Sequence, residues 1–189
     1  MLAAARRLFL KRGYGSTSMA VIAEAADVSI ETIYLSIGGK TSIVRYLVET
    51  ALSGADAPAA PLERSGVAEV RAEPDPQRKV RLFAGMVRPV LERLAPIWQV
   101  VMEAAPGDAE LRAMVTELLE RHASTMRLVV EHIAETGRLR EGVSIDTARD
   151  FIWAMNSPEF YRLLVVGRSW SGEMFENRLA DAWQRLLLD

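Results

Sequence analysis

The 189-residue sequence has no cysteine and only two histidines. Without cysteine, thiolate catalysis, cysteine-ligated zinc and disulfides are excluded. Long apolar runs are also missing, and none approaches the roughly 18 residues that a membrane-spanning helix requires. The opening stretch MLAAARRLFLKRG places Arg6, Arg7 and Lys11 among its apolar residues, unlike a secretory signal, so we expect a cytoplasmic protein.

Residue sets that carry catalysis are equally scarce. His122 and His132 stand ten positions apart on one predicted helix. We interpret this spacing as placing them near opposite sides of the helix, where they cannot form a local metal pair. Neither belongs to a Glu-x-x-His motif, and no phosphate-binding glycine loop or activated nucleophile is present. We therefore predict a protein that is not an enzyme and that carries no metal or cofactor.

Positive charge is in slight deficit, because 23 Lys and Arg stand against 25 Asp and Glu. The average hides an asymmetry, since residues 1–50 carry a net charge of +2 and the remainder carries −4. Only the N-terminal segment suits a polyanion such as DNA, and its excess charge is small.

Helical periodicity is what the sequence does contain. Apolar residues recur at intervals of three and four without the sustained alternation of a strand, so the predicted fold is all-α. Caps and glycines divide the first 53 residues into four short helices. The predicted helices cover 2–12, 17–26 with Ser16 or Thr17 as the cap, 30–35 with Ser29 as the cap, and 40–53.

Prolines and alanines at 54–76 predict a linker between an N-terminal domain, 1–53, and a helical C-terminal domain, 77–189. The C-terminal domain is predicted to contain helices at 77–94, 97–104, 108–135, 146–155, 158–166 and 172–188. An apolar stripe along the 108–135 helix indicates that this helix is central to the core.

Residues 17–35, TSMAVIAEAADVSIETIYL, place two short helices around a brief turn, which is the spacing of a helix-turn-helix. Ala23 is small enough for the two helices to approach closely, and Val28 and Ile33 are predicted to anchor the second one. The residues left facing outward, toward a DNA major groove, are Ser29, Ile30, Thr32 and Leu35.

Five motifs occur in order in the first 48 residues: AAARRLF at 3–9, GYGSTS at 13–18, IAEAADVS at 22–29, TIY at 32–34 and KTSI at 40–43. Together they resemble the DNA-binding domain of the TetR (tetracycline repressor) family of transcriptional regulators. The resemblance implies a three-helix, homeodomain-like DNA-binding domain followed by a helical ligand-binding and dimerisation domain. It also implies a homodimeric repressor that leaves a palindromic, double-stranded operator when a small molecule binds.

The resemblance implies roles for individual residues as well. Thr17 would cap the second helix at a phosphate, Tyr34 would touch the DNA backbone, and Lys40 would pair with a phosphate at the next helix start. Helix starts suit a phosphate because their first N–H groups are unpaired. The predicted DNA-binding residues are Thr17, Ser18, Ser29, Ile30, Glu31, Thr32, Tyr34, Leu35 and Lys40.

Several positions depart from the family pattern. Asp27 stands where glycine is common, although aspartate tolerates left-handed backbone geometry, and Ser36 and Ile37 replace a usual His-Phe pair. The recognition helix has no Lys or Arg and contains Glu31, so phosphate contacts elsewhere must supply the attraction. An alternative therefore stays open, namely a helical ligand-binding or interaction protein with weakened DNA binding. A basic arm ahead of the first helix is either absent or missing from this sequence.

Flat or adaptable apolar residues spread over the C-terminal helices predict a cavity for an apolar small molecule whose identity stays open. His122 is included as a polar group facing the ligand, with a structural histidine as the alternative. The predicted ligand-binding residues are Phe83, Met86, Trp98, Met102, His122, Met126 and Trp153. The resemblance assigns dimerisation to the closing helices, whose apolar residues serve either that interface or internal packing: Leu163, Trp170, Phe175, Leu179, Trp183 and Leu186.

Overall fold

The computed structural model of the chain describes residues 1–54, 66–137 and 139–188. Within these ranges the regular structure is helical, so the predicted all-α fold is confirmed. The helices are α1 (Leu2–Arg12), α2 (Met19–Ala26), α3 (Ile30–Ser36), α4 (Lys40–Ser53), α5 (Val67–Ala72), α6 (Pro76–Ala104), α7 (Ala109–Thr136), α8 (Ile145–Met155), α9 (Pro158–Tyr161) and α10 (Gly172–Leu187). No helix in the described ranges is both long and apolar enough to cross a membrane.

The turn between α2 and α3 has the predicted geometry, because Asp27 adopts a left-handed conformation with φ 53°. The predicted cap of α2 is wrong. Ser18 has the extended backbone that a cap requires, and its Oγ accepts a hydrogen bond from the Val21 N–H. Thr17 instead lies fully buried and donates its hydroxyl to the Gly13 carbonyl at 2.8 Å. The Thr17 side chain therefore ties the loop between α1 and α2 to the end of α1.

Two apolar cores lie one after the other along α6 and α7. The N-terminal core joins α1 to α4 with the second half of α6 and the first half of α7, through buried residues such as Phe9, Ile43 and Leu111. The C-terminal core joins the first half of α6 and the second half of α7 with α8 and α10, around Phe83 and Trp183. The two long helices therefore carry both parts of the chain.

The region from 66 to 104 differs from prediction in two ways. The predicted helices 77–94 and 97–104 form one continuous helix, α6, with Pro89 and Pro96 inside it. Apolar residues on both sides of each proline stay on one buried stripe, and their burial outweighs the backbone hydrogen bonds that proline removes. Helix α5 lies within the predicted linker 54–76, of which residues 55–65 lie outside the described ranges.

The C-terminal helices also differ from prediction. The predicted helix 158–166 is α9 followed by a π-helical turn, Arg162–Val166. Phe175, Leu179 and Trp183 were candidates for an external apolar face, but α10 packs this face against α6 and all three are at most 2 % exposed. They belong to the interior, and Trp183 stacks on Phe83 with 5.2 Å between ring centroids.

We expect Ile43→Ala to lower the free energy of unfolding by about 2 to 5 kcal/mol, because Ile43 is fully buried where α4 meets the N-terminal core. Urea denaturation followed by circular dichroism measures the loss. Leu35→Ala is the control, since Leu35 is 89 % exposed, and its effect is expected to stay within about 0.5 kcal/mol. Equal losses in the two variants would contradict the assignment of Ile43 to the core.

Candidate DNA interface and ligand cavity

Helix α3 presents one continuous exposed surface. Ser29 caps the helix by accepting a hydrogen bond from the Thr32 N–H at 3.0 Å, and Ile33 is the residue that α3 buries in the N-terminal core. Tyr34 is 54 % exposed and Leu35 is 89 % exposed. Of the predicted DNA-binding residues, those on exposed surface of α2, α3 and their caps are Ser18, Ser29, Glu31, Thr32, Tyr34 and Leu35.

The other three predicted residues are engaged elsewhere. Thr17 is buried as described above, and Ile30 is half-buried against the N-terminal core. Lys40 donates from Nζ to the Tyr14 carbonyl at 3.1 Å and lies 4.0 Å from the centre of the Tyr14 ring. In this conformation Lys40 ties α4 to the loop after α1. Val28, predicted as an internal anchor, is 36 % exposed because the turn holds it outside the core.

Glu31 is a fixed negative charge on this surface. A hydrogen bond from its own backbone N–H, and a second from Ser29, lower the pKa of the Glu31 carboxyl below its usual value. The carboxylate is therefore ionised at neutral pH. It repels a phosphate but can accept a hydrogen bond from a cytosine amino group.

A cavity of about 1290 Å³ lies between α4, α5, α6, α7 and α8. Six of the seven predicted ligand-binding residues line it: Phe83, Met86, Trp98, His122, Met126 and Trp153. The seventh, Met102, does not, because it follows the buried Val101 on the outer side of the last turn of α6 and is 40 % exposed. Trp153 contributes an indole N–H that is buried without a hydrogen-bond partner in the described residues.

The two histidines also lie on this cavity, which corrects the interpretation of their spacing. Ten residues at about 100° each bring two side chains to within roughly 80° of one another, so both face the same side of α7. His122 lies beside the Trp153 ring, with 6.3 Å between centroids. The His132 Nε2 lies 2.9 Å from the Arg71 carbonyl, and its Nδ1 lies 2.9 Å from a Glu135 carboxylate oxygen.

Lys79 is the most unusual charged residue of the cavity wall. Its side chain is fully buried, and its Nζ donates only a long hydrogen bond, 3.4 Å, to the Arg71 carbonyl. Burial lowers the pKa of Lys79, while the carboxylates of Glu135 and Glu73 act in the opposite direction. Lys79 is not among the predicted ligand-binding residues, although it stands four residues before Phe83 and so belongs to the buried stripe of α6.

Helix α4 borders the cavity as well as the N-terminal core. Its C-terminal residues Val48, Leu52 and Ser53 line the cavity. Arg93, on the cavity wall of α6, donates from Nε to the Ala51 carbonyl at 3.1 Å, near the end of α4. Arg121, on the wall formed by α7, pairs with Glu49 of α4 at 2.5 Å. Local sequence patterns do not predict these two contacts, because they join residues 42 and 72 positions apart.

Two further contacts join α4 to α7. The Tyr14 hydroxyl lies 3.1 Å from the Thr41 Oγ1, and Thr41 donates to a Glu110 carboxylate oxygen at 2.9 Å. Burial is the main cause that raises the pKa of Tyr14, so the phenol stays protonated at neutral pH. Arg45 and Glu117 form a bidentate pair at 2.9 and 2.8 Å. These contacts set the position of α4 on α7.

Comparison with known families matches residues 1–47 to the family model described as bacterial regulatory proteins, tetR family. Curated protein sequences give no match. The matched residues comprise α1, α2, α3 and the first half of α4, which is the part that carries the exposed surface of α3.

Solved structures of transcriptional regulators share the fold over nearly the whole chain. One, from Saccharomonospora viridis in complex with choline, is 19% identical, has a TM-score of 0.72 and covers 100% of this chain and 95% of its own. FadR from Bacillus subtilis in complex with stearoyl-CoA is 19% identical, with a TM-score of 0.74 and coverages of 96% and 95%. NalD, a repressor of a multidrug efflux pump in Pseudomonas aeruginosa, is 22% identical, with a TM-score of 0.73 and coverages of 99% and 94%. At these identities the likeness is one of fold.

Replacing Glu31 by Gln is expected to raise the affinity for random-sequence DNA about two- to fivefold at low salt, because one exposed negative charge leaves the surface of α3. Gel retardation over a series of salt concentrations measures the change. Glu173→Gln on α10 removes the same charge far along the chain and is expected to have no effect. A weaker binding of random DNA by the Glu31 variant would contradict the repulsive role.

Proposed function

Since the chain carries the N-terminal domain of the tetR family and folds like transcriptional regulators throughout, we propose that it is a repressor that acts in the cytoplasm as a homodimer. It binds a palindromic operator through α2 and α3, and it leaves the operator when a small molecule occupies the cavity. The protein acts by binding and not by catalysis.

The observation that carries this proposal is the double role of α4. Its first half packs into the N-terminal core that supports α3, and its last residues line the cavity. A ligand in the cavity therefore touches the same helix that positions the DNA-binding surface. A change of cavity shape that moves α4 therefore acts on the N-terminal core against which α3 packs.

Ligand binding would act as a shift of population between two positions of α4. Arg93 holds the end of α4 through the Ala51 carbonyl, and Arg121 holds its side through Glu49. Both arginines line the cavity, so a ligand that contacts either one competes with its bond to α4. A coupling of about 1 to 3 kcal/mol is sufficient for a 5- to 150-fold loss of operator affinity.

Sequence recognition falls to the exposed side chains of α3, because they are the ones that can reach base edges in the major groove. Thr32 can exchange hydrogen bonds with bases, Glu31 can accept from cytosine, and Leu35 can contact a thymine methyl group. Phosphate binding falls to Tyr34 and to the start of α4, where Gly39 provides no side-chain cap and leaves backbone N–H groups open.

Dimerisation is assigned to the exposed apolar residues of the C-terminal segments. Phe151 of α8, Leu163 and Val166 of the π-helical turn, and Met174 of α10 are between 43% and 67% exposed. Helix α10 contacts both α8 and the π-helical turn, so these residues belong to neighbouring elements. Apolar surface of this kind marks a protein interface. A two-fold dimer places two α3 helices about 34 to 36 Å apart on DNA.

Gel retardation of DNA from the gene's own promoter region tests the function. We expect retardation of this fragment at salt concentrations where shuffled DNA of equal composition is free, and we expect Leu35→Ala to reduce that preference about tenfold. Leu10→Ala on α1 is the matched control, because Leu10 is exposed beside α6 and away from α3. No retardation even at low salt, together with binding of a small molecule in the cavity, would favour the alternative of a ligand-binding protein with weakened DNA binding.

Leu163→Glu is expected to convert the dimer into a monomer, because it places a charge in the apolar contact between two copies. Light scattering coupled to size-exclusion chromatography gives the mass. Met102→Glu introduces the same charge at an exposed residue of α6 and is expected to leave the mass at two chains. A mass of one chain for the unmodified protein would contradict the proposed dimer.

A further inference from the structure

The cavity's own residues indicate the class of ligand, which the neighbouring structures leave open because choline is a cation and stearoyl-CoA is an anion. The inference rests on the ligand-responsive function proposed above. It concerns the end of the cavity where α5, the start of α6 and the end of α7 meet.

Two hydrogen-bond donors converge there on a single oxygen. Lys79 Nζ lies 3.4 Å from the Arg71 carbonyl oxygen, and His132 Nε2 lies 2.9 Å from the same atom. An ammonium and an imidazole directed at one oxygen form the arrangement that binds a carboxylate. In this structure the oxygen belongs to a neutral backbone carbonyl, which leaves the ammonium charge uncompensated at that contact.

Lys79 differs from the other charged residues on the described cavity wall because its side chain is fully buried. The carboxylates of the wall already have partners within the described residues: Glu131 with Arg127, Glu135 with His132, and Glu159 with the Trp98 indole. Lys79 has no carboxylate partner in the described part of the chain, and it is fully buried. The carboxylates of Glu135 and Glu73 lie close enough to favour the charged form of Lys79, but neither forms an ion pair with it in the described residues. An anion bound directly against a buried ammonium offsets the remaining cost of burying the charge.

The wall that α6 contributes to the cavity is long and largely apolar. Lys79 and Trp98 both line it and stand 19 positions apart on α6, so the cavity follows the helix for roughly 28 Å at about 1.5 Å per residue. Between them most of the α6 side chains on the wall are apolar, such as Phe83, Val87 and Leu91, with Arg93 as the charged exception. This part suits an extended hydrocarbon chain.

We propose that the cavity binds an anionic amphiphile, a long apolar chain ending in a carboxylate, whose acid group replaces the Arg71 carbonyl on Lys79 and His132. The apolar chain lies along α6 toward Trp98. Because Arg71 is in α5, the acid group displaces the end of α5 as it binds, and α5 acts as the cover of this end of the cavity.

Three probes of equal chain length test the proposal on the full-length protein without DNA: dodecanoate and dodecyltrimethylammonium, each below its micelle concentration, and dodecanol below its solubility limit. Binding is followed by calorimetry and by the fluorescence of Trp98 and Trp153, which line the cavity. We expect dodecanoate to bind at least about tenfold more tightly than dodecanol, and the cation to bind most weakly. Equal binding of the acid and the alcohol, tightest binding of the cation, or no binding of any probe would overturn the proposal.

The variant Lys79→Met keeps an unbranched side chain that is one atom shorter and removes the charge. We expect it to bind dodecanoate about ten- to hundredfold more weakly and to bind dodecanol within about twofold of the unmodified protein. Lys79→Arg is expected to retain most of the affinity for the acid, and Arg81→Met, on the exposed side of α6, to retain all of it. Unchanged dodecanoate binding by a folded Lys79→Met variant would overturn the proposal.

The comparison of acid and alcohol on the unmodified protein does not depend on any variant being folded. Its outcome is also independent of operator binding. Binding of dodecanoate without binding of promoter DNA would contradict the repressor function and leave the proposed ligand class standing. Binding of promoter DNA without a preference for the acid would contradict the ligand class and leave the repressor function standing.

Discussion

The apolar contact of α4 with the middle of α6 and α7 is the interaction on which the rest of the arrangement depends. Ile43, Val44 and Leu47 close the core under α3, and the same helix continues to the cavity. The polar pairs beside this contact, such as Arg45 with Glu117, are partly exposed, and pairs of that kind contribute about 0 to 1 kcal/mol each. Burial of apolar surface therefore supplies the strength of the junction, and the polar pairs set its register.

Much of the fold follows from local patterns in the sequence. Helices α1 and α4 have the predicted bounds because a glycine with positive φ, Gly13 or Gly54, stops each of them. The two errors at α5 and α6 arose from reading proline as a helix breaker. Proline excludes one backbone hydrogen bond, which is a local cost, whereas α6 is held by packing against α4, α7 and α10, which a local pattern does not reveal.

The candidate sites were predictable where one helix face decides the outcome, and less so where the partner is distant in sequence. Most of the exposed side of α3 follows from helical periodicity, and six cavity residues follow from the type of side chain, since five are large apolar groups and His122 is a polar group beside them. Thr17 and Lys40 do not, because a hydroxyl or an ammonium at a helix start can turn to a nearby carbonyl of its own chain, as both do here. The role of Lys79 depends on the packing of α5 against α6, and a local sequence pattern does not reveal that packing.

The two prolines inside α6 have a mechanical consequence. Each lacks a backbone N–H, so the carbonyls of Gly85 and Glu92, four residues earlier, have no partner within the helix. A helix that lacks two backbone hydrogen bonds bends at those points at a lower free-energy cost than an intact helix. Pro89 lies on the cavity wall between Val87 and Leu91 of the C-terminal core, so bending there changes the cavity and the packing of that core together. The part of this cavity wall that bends most easily is therefore also a contact of the core.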